Sequence, residues 1–134
     1  MTGHDNSPRP NAGRGPVTVH TRDHGPVTMP EPGWCLGHHE DDGYREDIAH
    51  EGPETRIEVP TSRGPELLLL TMLEQRPFTN RAPGTGVFRN VSIGDNDWFP
   101  SSPADLHTLA AHLSSAARAM HVFAEELEQM GGAR

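Results

Sequence analysis

Hydrophobic residues in the middle of the chain alternate with polar ones or run together, as they do in β-strands. Arg56-Ile57-Glu58-Val59 alternates polar and apolar residues, which is the period of a half-buried strand. The most apolar run extends from Leu67 to Leu73. Its residue types favour a helix, but its length between Pro65 and Pro77 suits a central strand with both faces covered. We predict a strand for this run, with a short helix as the alternative.

Turn-forming residues on either side of this region indicate further short strands. Before it, Val17 to Thr21 and Val27 to Met29 flank the turn Asp23-His24-Gly25, a pattern typical of two strands joined by a tight connection. After it, residues 80–86 are rich in proline and glycine and predict a loop that joins two hairpin strands. The pattern as a whole predicts a small antiparallel sheet.

The strand expected after this loop carries apolar side chains on both faces. Val87, Val91 and Ile93 are spaced to lie on one face, with Phe88 on the opposite face. A polar turn then ends the strand. We expect Trp98-Phe99, which follows that turn, to cover one end of the core.

The last part of the chain predicts one long helix, from about Pro103 to Met130. Ser102 is suited to the N-cap, proline to the first helical position, and Asp105 to the first turn, where a negative charge favours the helix dipole. Gly131-Gly132 ends the helix. Apolar residues recur at steps of three or four and form one stripe: Leu106, Leu109, Leu113, Ala117, Met120, Ala124 and Leu127.

A single helix of this kind is not expected to be stable alone, so we expect it to pack across the sheet. The predicted fold class is α+β: a small antiparallel sheet of three to five strands packed against one long C-terminal helix, with an irregular loop that a metal could crosslink. Residues 1–14 contain no apolar residue suited to burial beyond Met1 and predict a disordered tail. Residues 15–130 are predicted as a single domain, and residues 131–134 as a disordered end.

Composition limits the size of the core. The 134 residues include 14 glycines and 13 prolines, and only 33% of the chain is hydrophobic. A domain with so small a core often depends on a metal, a partner or an oligomer interface for its stability. The single cysteine excludes a disulfide within one chain and fits a reducing compartment.

Charge and hydropathy argue against nucleic acid and against a membrane span. The formal net charge is −8, and the chain contains no lysine, so the phosphate backbone of nucleic acid is a disfavoured partner. No apolar run approaches the ~20 residues of a membrane span. The first ten residues lack the apolar core of a signal peptide. We therefore expect a soluble cytoplasmic protein.

The candidate chemistry lies in Trp34-Cys35-Leu36-Gly37-His38-His39, followed by His50. Thiolate and neutral imidazole are the preferred ligands of zinc, and structural zinc sites use four protein ligands. Cys35 can share a tight turn with either His38 or His39, and a returning loop can bring His50 close. The spacing leaves the fourth ligand open among the nearby candidates Glu31, His20, His24, Glu40, Asp41 and Asp42. A metal-free reading, with a buried cysteine and solvated histidines, is the alternative.

The segment from Pro32 to His39, followed by His50-Glu51-Gly52, resembles the opening of an uncharacterised family of small actinobacterial proteins. Members of that family begin with Cys-Pro-x-Trp-Cys-x-x-x-His, carry a later His-x-Gly, and end in a helix rich in alanine and leucine. The closing segment from Ser102 to Ala117 is similar to that helix. The resemblance covers roughly residues 30–130. It implies a site and a fold rather than an activity, because the family has no assigned activity.

The chain departs from the family pattern at one position. Glu31 stands where the family's first cysteine is expected. If the family site is built from two cysteines and two histidines, the matching ligands here are Glu31, Cys35, His39 and His50. A carboxylate can ligate zinc, so the resemblance implies a structural zinc ion with altered affinity. Loss of the metal with retention of the loop is the alternative.

These observations favour a non-enzymatic interaction module. The competing class is a small metal-dependent or thiol enzyme that uses Cys35 and His50. The sequence lacks a phosphate-binding glycine loop, a dinucleotide-binding motif and an EF-hand loop. A protein partner, or a second copy of the chain, is expected to bind through the C-terminal helix, where Met120, Phe123 and Met130 are candidates for exposure.

Overall fold

A computed structural model of the chain describes residues 15–132. The predicted α+β class is confirmed, with strands in two antiparallel sheets followed by one long helix. The elements are β1 Val17–Thr21, β2 Gly25–Met29, β3 His50–Glu51, β4 Thr55–Thr61, β5 Gly64–Gln75, β6 Phe88–Ile93, β7 Phe99–Ser101 and α1 Pro103–Gln129. The tail predicted for residues 1–14, and residues 133–134 of the predicted disordered end, lie outside the described residues.

The hairpin β1–β2 is the first sheet, and it carries the hydrophobic core. Its strands pair from Val17 with Met29 to Thr21 with Gly25, which confirms the predicted hairpin. Gly25 adopts a φ of 60°, a conformation that glycine reaches without steric cost. The buried cluster consists of Val19, Met29 and Ile48, with Val17, Val27 and Phe78 packed against it.

The second sheet is organised around β5, which pairs with β3, β4 and β6. Leu69, Leu70 and Thr71 pair with β4 and also with β6, so these two strands lie on opposite edges of β5. β3 pairs with Glu74 and Gln75 on the same edge as β4. The prediction of a central strand for residues 67–73 is therefore confirmed, and the alternative of a short helix is wrong.

Burial in this second sheet differs from the sequence prediction. β4 was expected to be half-buried, but every residue of it is exposed because it lies at the edge of the sheet. The leucines of β5 are partly buried rather than covered on both faces. On the expected apolar face of β6, Val91 alone is buried, while Val87, Ile93 and the Trp98-Phe99 pair are exposed. The physical reason is that the hydrophobic core is centred on β1 and β2.

Helix α1 begins and ends as predicted. The Ser102 side chain accepts a hydrogen bond from the Asp105 amide, and the Asp105 carboxylate accepts one from the Ser102 amide, which together form a capping box. Beyond the last turn, Gly131 adopts a φ of 73°, and the Gly132 amide donates to the Leu127 carbonyl. No residue of α1 is buried.

The chain divides after Pro100 into two compact units, the second of which contains α1. That α1 packs on the sheet, and that residues 15–130 form a single domain, therefore stay predictions. No helix among residues 15–132 combines the length and apolarity needed to cross a membrane.

Candidate metal centre

The segment after β2 leaves the hairpin as an irregular loop because two prolines interrupt it. Pro30 and Pro32 have no backbone N–H to donate to a neighbouring strand. The chain then turns, and the Cys35 amide donates to the Pro32 carbonyl at 3.0 Å. The Leu36 amide donates to the Glu51 carbonyl at 2.9 Å, which attaches this loop to β3. Glu31 and Cys35 are thereby held on the same side as His50.

Gly37 reverses the chain between Cys35 and His39. Its φ of 79° lies in the left-handed region, which strongly favours glycine. The Gly37 amide donates to the Cys35 sulfur at 3.3 Å, and its carbonyl accepts from the His39 amide at 3.2 Å. The reversal returns the His39 imidazole to within 3.8 Å of the sulfur, measured from Nε2 to Sγ.

His50 comes from the second sheet, where it pairs with Gln75 of β5. The Trp34 ring packs edge-on against its imidazole, with ring centroids 6.5 Å apart and an interplanar angle of 87°. Trp34 also lies against buried Gly52, where an added Cβ would be in van der Waals contact, at 3.4 Å, with the Trp34 ring and with Leu73. The tryptophan therefore fixes the orientation of one imidazole of the site.

The Glu31 carboxylate lies between the two imidazoles. His39 Nε2 is 3.1 Å from Oε1 and 3.0 Å from Oε2, while His50 Nδ1 is 2.9 Å from Oε1. One donor atom from each of Glu31, Cys35, His39 and His50 lies within 4.8 Å of the other three. The two histidine rings are nearly perpendicular, with centroids 5.2 Å apart. Four side chains from the loop and from β3 thus converge on one point.

Several of the donor-atom separations are close to those in a tetrahedral zinc site. Zinc bonds of ~2.0–2.3 Å separate neighbouring ligand atoms by about 3.3–3.6 Å in a tetrahedron. The hydrogen-bonded nitrogen–oxygen pairs are shorter than this, at 2.9–3.1 Å, and the sulfur–nitrogen pair is longer, at 3.8 Å. The four donor atoms as a set lie within 4.8 Å of one another, so zinc would have to draw the widest pairs together and move the closest pairs apart.

The site is almost closed to solvent. The side chains of Glu31 and His50 are each 2% exposed, that of His39 is 8% exposed, and Cys35 is 1% exposed. Buried polar groups are costly unless each has a hydrogen-bond partner or a metal. Among residues 15–132, these four groups have one another and a few backbone groups as their partners, so the stability of this region depends on the completeness of the cluster.

Burial and mutual contact shift the pKa values of three of these groups. Burial raises the pKa of the Glu31 carboxyl, but hydrogen bonds from Cys35, His39 and His50 outweigh it and hold that pKa below its ordinary value. Burial raises the pKa of the Cys35 thiol, and the Glu31 carboxylate raises it further. Burial lowers the pKa of His50 despite the opposing effect of Glu31. Without a metal, the cluster therefore combines an ionised carboxylate, a protonated thiol and a neutral imidazole.

The family model described as Domain of unknown function (DUF6907) matches residues 17–129. The chain belongs to this family. The match extends from β1 to the end of α1, and all four clustered residues lie inside it. Comparisons with curated proteins and with solved structures give no match. Actinobacterial origin, and the Trp-Cys segment as a mark of the family, stay predictions.

The structure of this DUF6907 chain shows which of the candidate ligands lie close together. It brings together Glu31, Cys35, His39 and His50, the four residues predicted from the resemblance. It places the remaining candidates on exposed positions outside the cluster: His20, His24, His38, Glu40, Asp41 and Asp42.

Two supporting features of the DUF6907 site were missed from the sequence. One is the left-handed conformation of Gly37. The sequence signal for it was a glycine midway between Cys35 and His39. The other is the Glu51 carbonyl, which accepts from Leu36 and ties the loop to β3. Nothing in the residue type at position 51 indicates a role of its backbone.

A cavity of about 320 Å³ adjoins the cluster on the His39 side. Its lining includes the carboxylates of Glu40, Asp47 and Glu51 and no lysine or arginine. Negative charge around a concave surface raises the local concentration of cations. The cavity therefore places negative charge beside the His39 side of the cluster.

Proposed function

We propose that this DUF6907 chain is a non-enzymatic interaction module whose loop from Glu31 to His50 is crosslinked by a structural zinc ion. Glu31, Cys35, His39 and His50 would be its ligands. The observation that carries the proposal is the convergence of four buried donor atoms within 4.8 Å of one another. A zinc ion bound by these four donors would connect the loop to β3.

The donor set supports a structural rather than a catalytic ion. A catalytic zinc usually has three protein ligands and leaves one position for water or substrate. Here four protein donors are available, and each of their side chains is at most 8% exposed. A fully occupied coordination shell without solvent access would hold the loop in place and leave no position for a reacting group.

The donor types support zinc over calcium and magnesium. Calcium and magnesium prefer oxygen ligands, whereas this cluster offers one sulfur, two imidazole nitrogens and one carboxylate oxygen. The Gly37 amide contacts the Cys35 sulfur at 3.3 Å and would stabilise it as a thiolate once a cation binds. Zinc binding would displace the proton from this thiol, because its pKa is raised in the metal-free cluster.

The competing thiol-enzyme class has less support. A nucleophilic cysteine is partly accessible and has a lowered pKa. Cys35 is 1% exposed, and burial raises the pKa of its thiol. Both properties suit a buried ligand better than a nucleophile.

The role as an interaction module draws support from charge and from helix α1. A net charge of −8 disfavours nucleic acid, and the apolar side chains of α1 are available to a protein partner. The lone cysteine, free in the structure, fits the reducing conditions of a cytoplasmic location.

The experiment is to measure zinc per chain after purification without chelator, for the wild type, Cys35→Ser and His38→Ala. His38 is exposed, adjacent to a proposed ligand and outside the cluster, so His38→Ala is the matched control. We expect one zinc per chain in the wild type and in His38→Ala. We expect Cys35→Ser to lose more than the ~100-fold in affinity that the removal of a supporting residue can cost.

Thermal unfolding of the same three proteins tests the structural role. Free zinc at 100 times its dissociation constant adds about 2.7 kcal/mol to the free energy of unfolding, which corresponds to a rise of about 10 °C in the midpoint. The wild type and His38→Ala should show this rise and Cys35→Ser should not. A metal-free wild type, or a midpoint insensitive to zinc, would overturn the proposal.

A further inference from the structure

Helix α1 exposes a continuous row of large apolar side chains. Met120 is 62% exposed, Phe123 53%, Leu127 58% and Met130 79%. An apolar row on a helix this long is typical of a binding surface rather than of a surface in permanent contact with water.

The spacing of this row is that of a coiled coil. Taking Leu106 as position a of a heptad, every a and d position as far as residue 130 is apolar. The set is Leu106, Leu109, Leu113, Ala116, Met120, Phe123, Leu127 and Met130, which we call the heptad seam. A repeat of seven residues sustained over more than three heptads favours packing against another helix over packing against a sheet.

We propose that the heptad seam binds the same seam of a second copy of this chain, in an antiparallel two-helix coiled coil. In an antiparallel coiled coil, residues at a positions pack against residues at d positions of the partner helix. In a single register, every a residue of this seam faces a d residue of the partner. The contacts are Leu106 with the partner's Met130, Leu109 with the partner's Leu127, Leu113 with the partner's Phe123, and Ala116 with the partner's Met120. Small Ala116 faces long Met120 at the centre, so the two seams are complementary in volume as well as in register.

The residues that flank the seam support a second copy in this orientation. The e positions are all alanine (Ala110, Ala117 and Ala124), which lets the two backbones approach closely. On the other flank, the register places His112 beside the partner's Glu126, a pair that can form a hydrogen bond. A parallel pair would instead bring the acidic ends of the two helices together, with like charges at Glu125, Glu126 and Glu128. Charge therefore favours the antiparallel arrangement.

The inference rests on the proposed role of the chain as an interaction module but does not require its metal. The seam lies in α1 and its C-cap residue Met130, whereas the four proposed ligands precede β4. A dimer and a bound zinc can thus be measured separately on one sample.

The experiment is to determine the mass in solution of the full chain with native zinc, for the wild type, Phe123→Glu and Val122→Glu. Val122 is adjacent to Phe123 and similarly exposed, at 49%, but lies off the seam, so it is the matched control. We expect dimers for the wild type and Val122→Glu. We expect the dimer dissociation constant of Phe123→Glu to rise by about 100-fold or more, because the substitution buries an unpaired charge in the interface.

Orientation is tested by a spin label at Glu128→Cys. Cys35 is buried and does not compete for the label. In the proposed register, position 128 faces the partner's Thr108, so the two labels are offset by twenty residues, about 30 Å along the helix. Labels about 15 Å apart or closer would indicate a parallel pair and overturn the register.

Three further outcomes separate the two proposals. A monomeric wild type overturns the dimer, and the seam is then covered by the chain's own sheet or by a different protein. Loss of the dimer in Val122→Glu as well as in Phe123→Glu also overturns it, because the contact would not be specific to the seam. If the wild type forms a dimer but contains no zinc, the coiled-coil proposal stands and only the metal-site proposal is overturned.

Discussion

The loop that carries the candidate metal centre and helix α1 have opposite patterns of burial. The loop buries a carboxylate, a thiol and two imidazoles, with no more than 8% of any of these side chains exposed. The helix leaves methionine, phenylalanine and leucine side chains more than half exposed. In most domains the polar groups are outside and the apolar groups inside. Both regions depart from this pattern, in opposite directions.

The proposed ligand differs between the two regions. Buried donors and acceptors are stabilised by hydrogen bonds or by a metal, so a cation is the ligand proposed for the loop. Exposed apolar surface is stabilised by removal from water, so a second copy of the chain is the partner proposed for the helix. Burial and residue type, considered together, thus support a different class of ligand for each region.

The largest expected difference between the regions is in the response to truncation. Ile48 is buried with Val19 and Met29, so Ile48→Ala should lower the free energy of unfolding by about 2–4 kcal/mol. Leu127→Ala removes a side chain that is 58% exposed and should cost less than about 0.5 kcal/mol at concentrations where the chain is monomeric. Chemical denaturation of dilute samples measures both. Equal costs would mean that the Leu127 side chain is buried in solution.

A smaller effect is expected from changing the chemistry of one buried ligand. Glu31→Cys would give the cluster two thiolates, which zinc prefers to a carboxylate, and should tighten zinc binding about tenfold or more, or ~1.4 kcal/mol. Glu31→Gln keeps the shape but removes the charge and should weaken binding. Competition with a chromophoric chelator measures both affinities. If Glu31→Cys binds zinc no better than Glu31→Gln, position 31 does not contribute a ligand.

The smallest expected effect concerns the N terminus of α1. Ser102→Ala removes the side-chain acceptor of the capping box and should cost about 1 kcal/mol. Ser114→Ala, inside the helix, is the control and should be nearly neutral or slightly stabilising. Far-ultraviolet circular dichroism follows the helix, and zinc content should not change in either variant. A loss of zinc in Ser102→Ala would show that the two units are energetically coupled.

Much of the fold could be predicted because its signals are local. The cap at Ser102, the stop at Gly131 and the turn before Gly25 each act through a few neighbouring backbone groups. The strand from residue 64 to 75 was harder to predict, because leucine, methionine and glutamate favour helices. Pairing on both edges outweighs that preference, which is a tertiary effect.

Burial was predicted less well, because it depends on where the core forms. The alternation of Ile57 and Val59 correctly indicated a strand, but no local signal showed that the strand would lie at an exposed edge. Likewise, the apolar stripe of α1 indicated a helix without indicating what would cover it.

The cluster of four candidate ligands was predictable only in part. The residue types near Cys35 suggested a metal, but spacing alone could not choose His39 over His38 or identify Glu31. The backbone reversal at Gly37 and the hydrogen bond between Leu36 and Glu51 direct His39 into the cluster and leave His38 exposed to solvent. Such choices depend on tertiary geometry rather than on composition.

The position of His50 in the chain determines how an ion bound at the candidate metal centre would affect the unfolded state. His50 follows Cys35 by 15 residues, so an ion held by both closes a loop of that length. A covalent crosslink around 15 residues stabilises a protein by about 3 kcal/mol, because it reduces the conformational entropy of the unfolded chain. A coordinated ion that remained bound during unfolding would restrict the chain in the same way. Unlike a disulfide, this restriction persists in a reducing environment and ends when a chelator removes the ion.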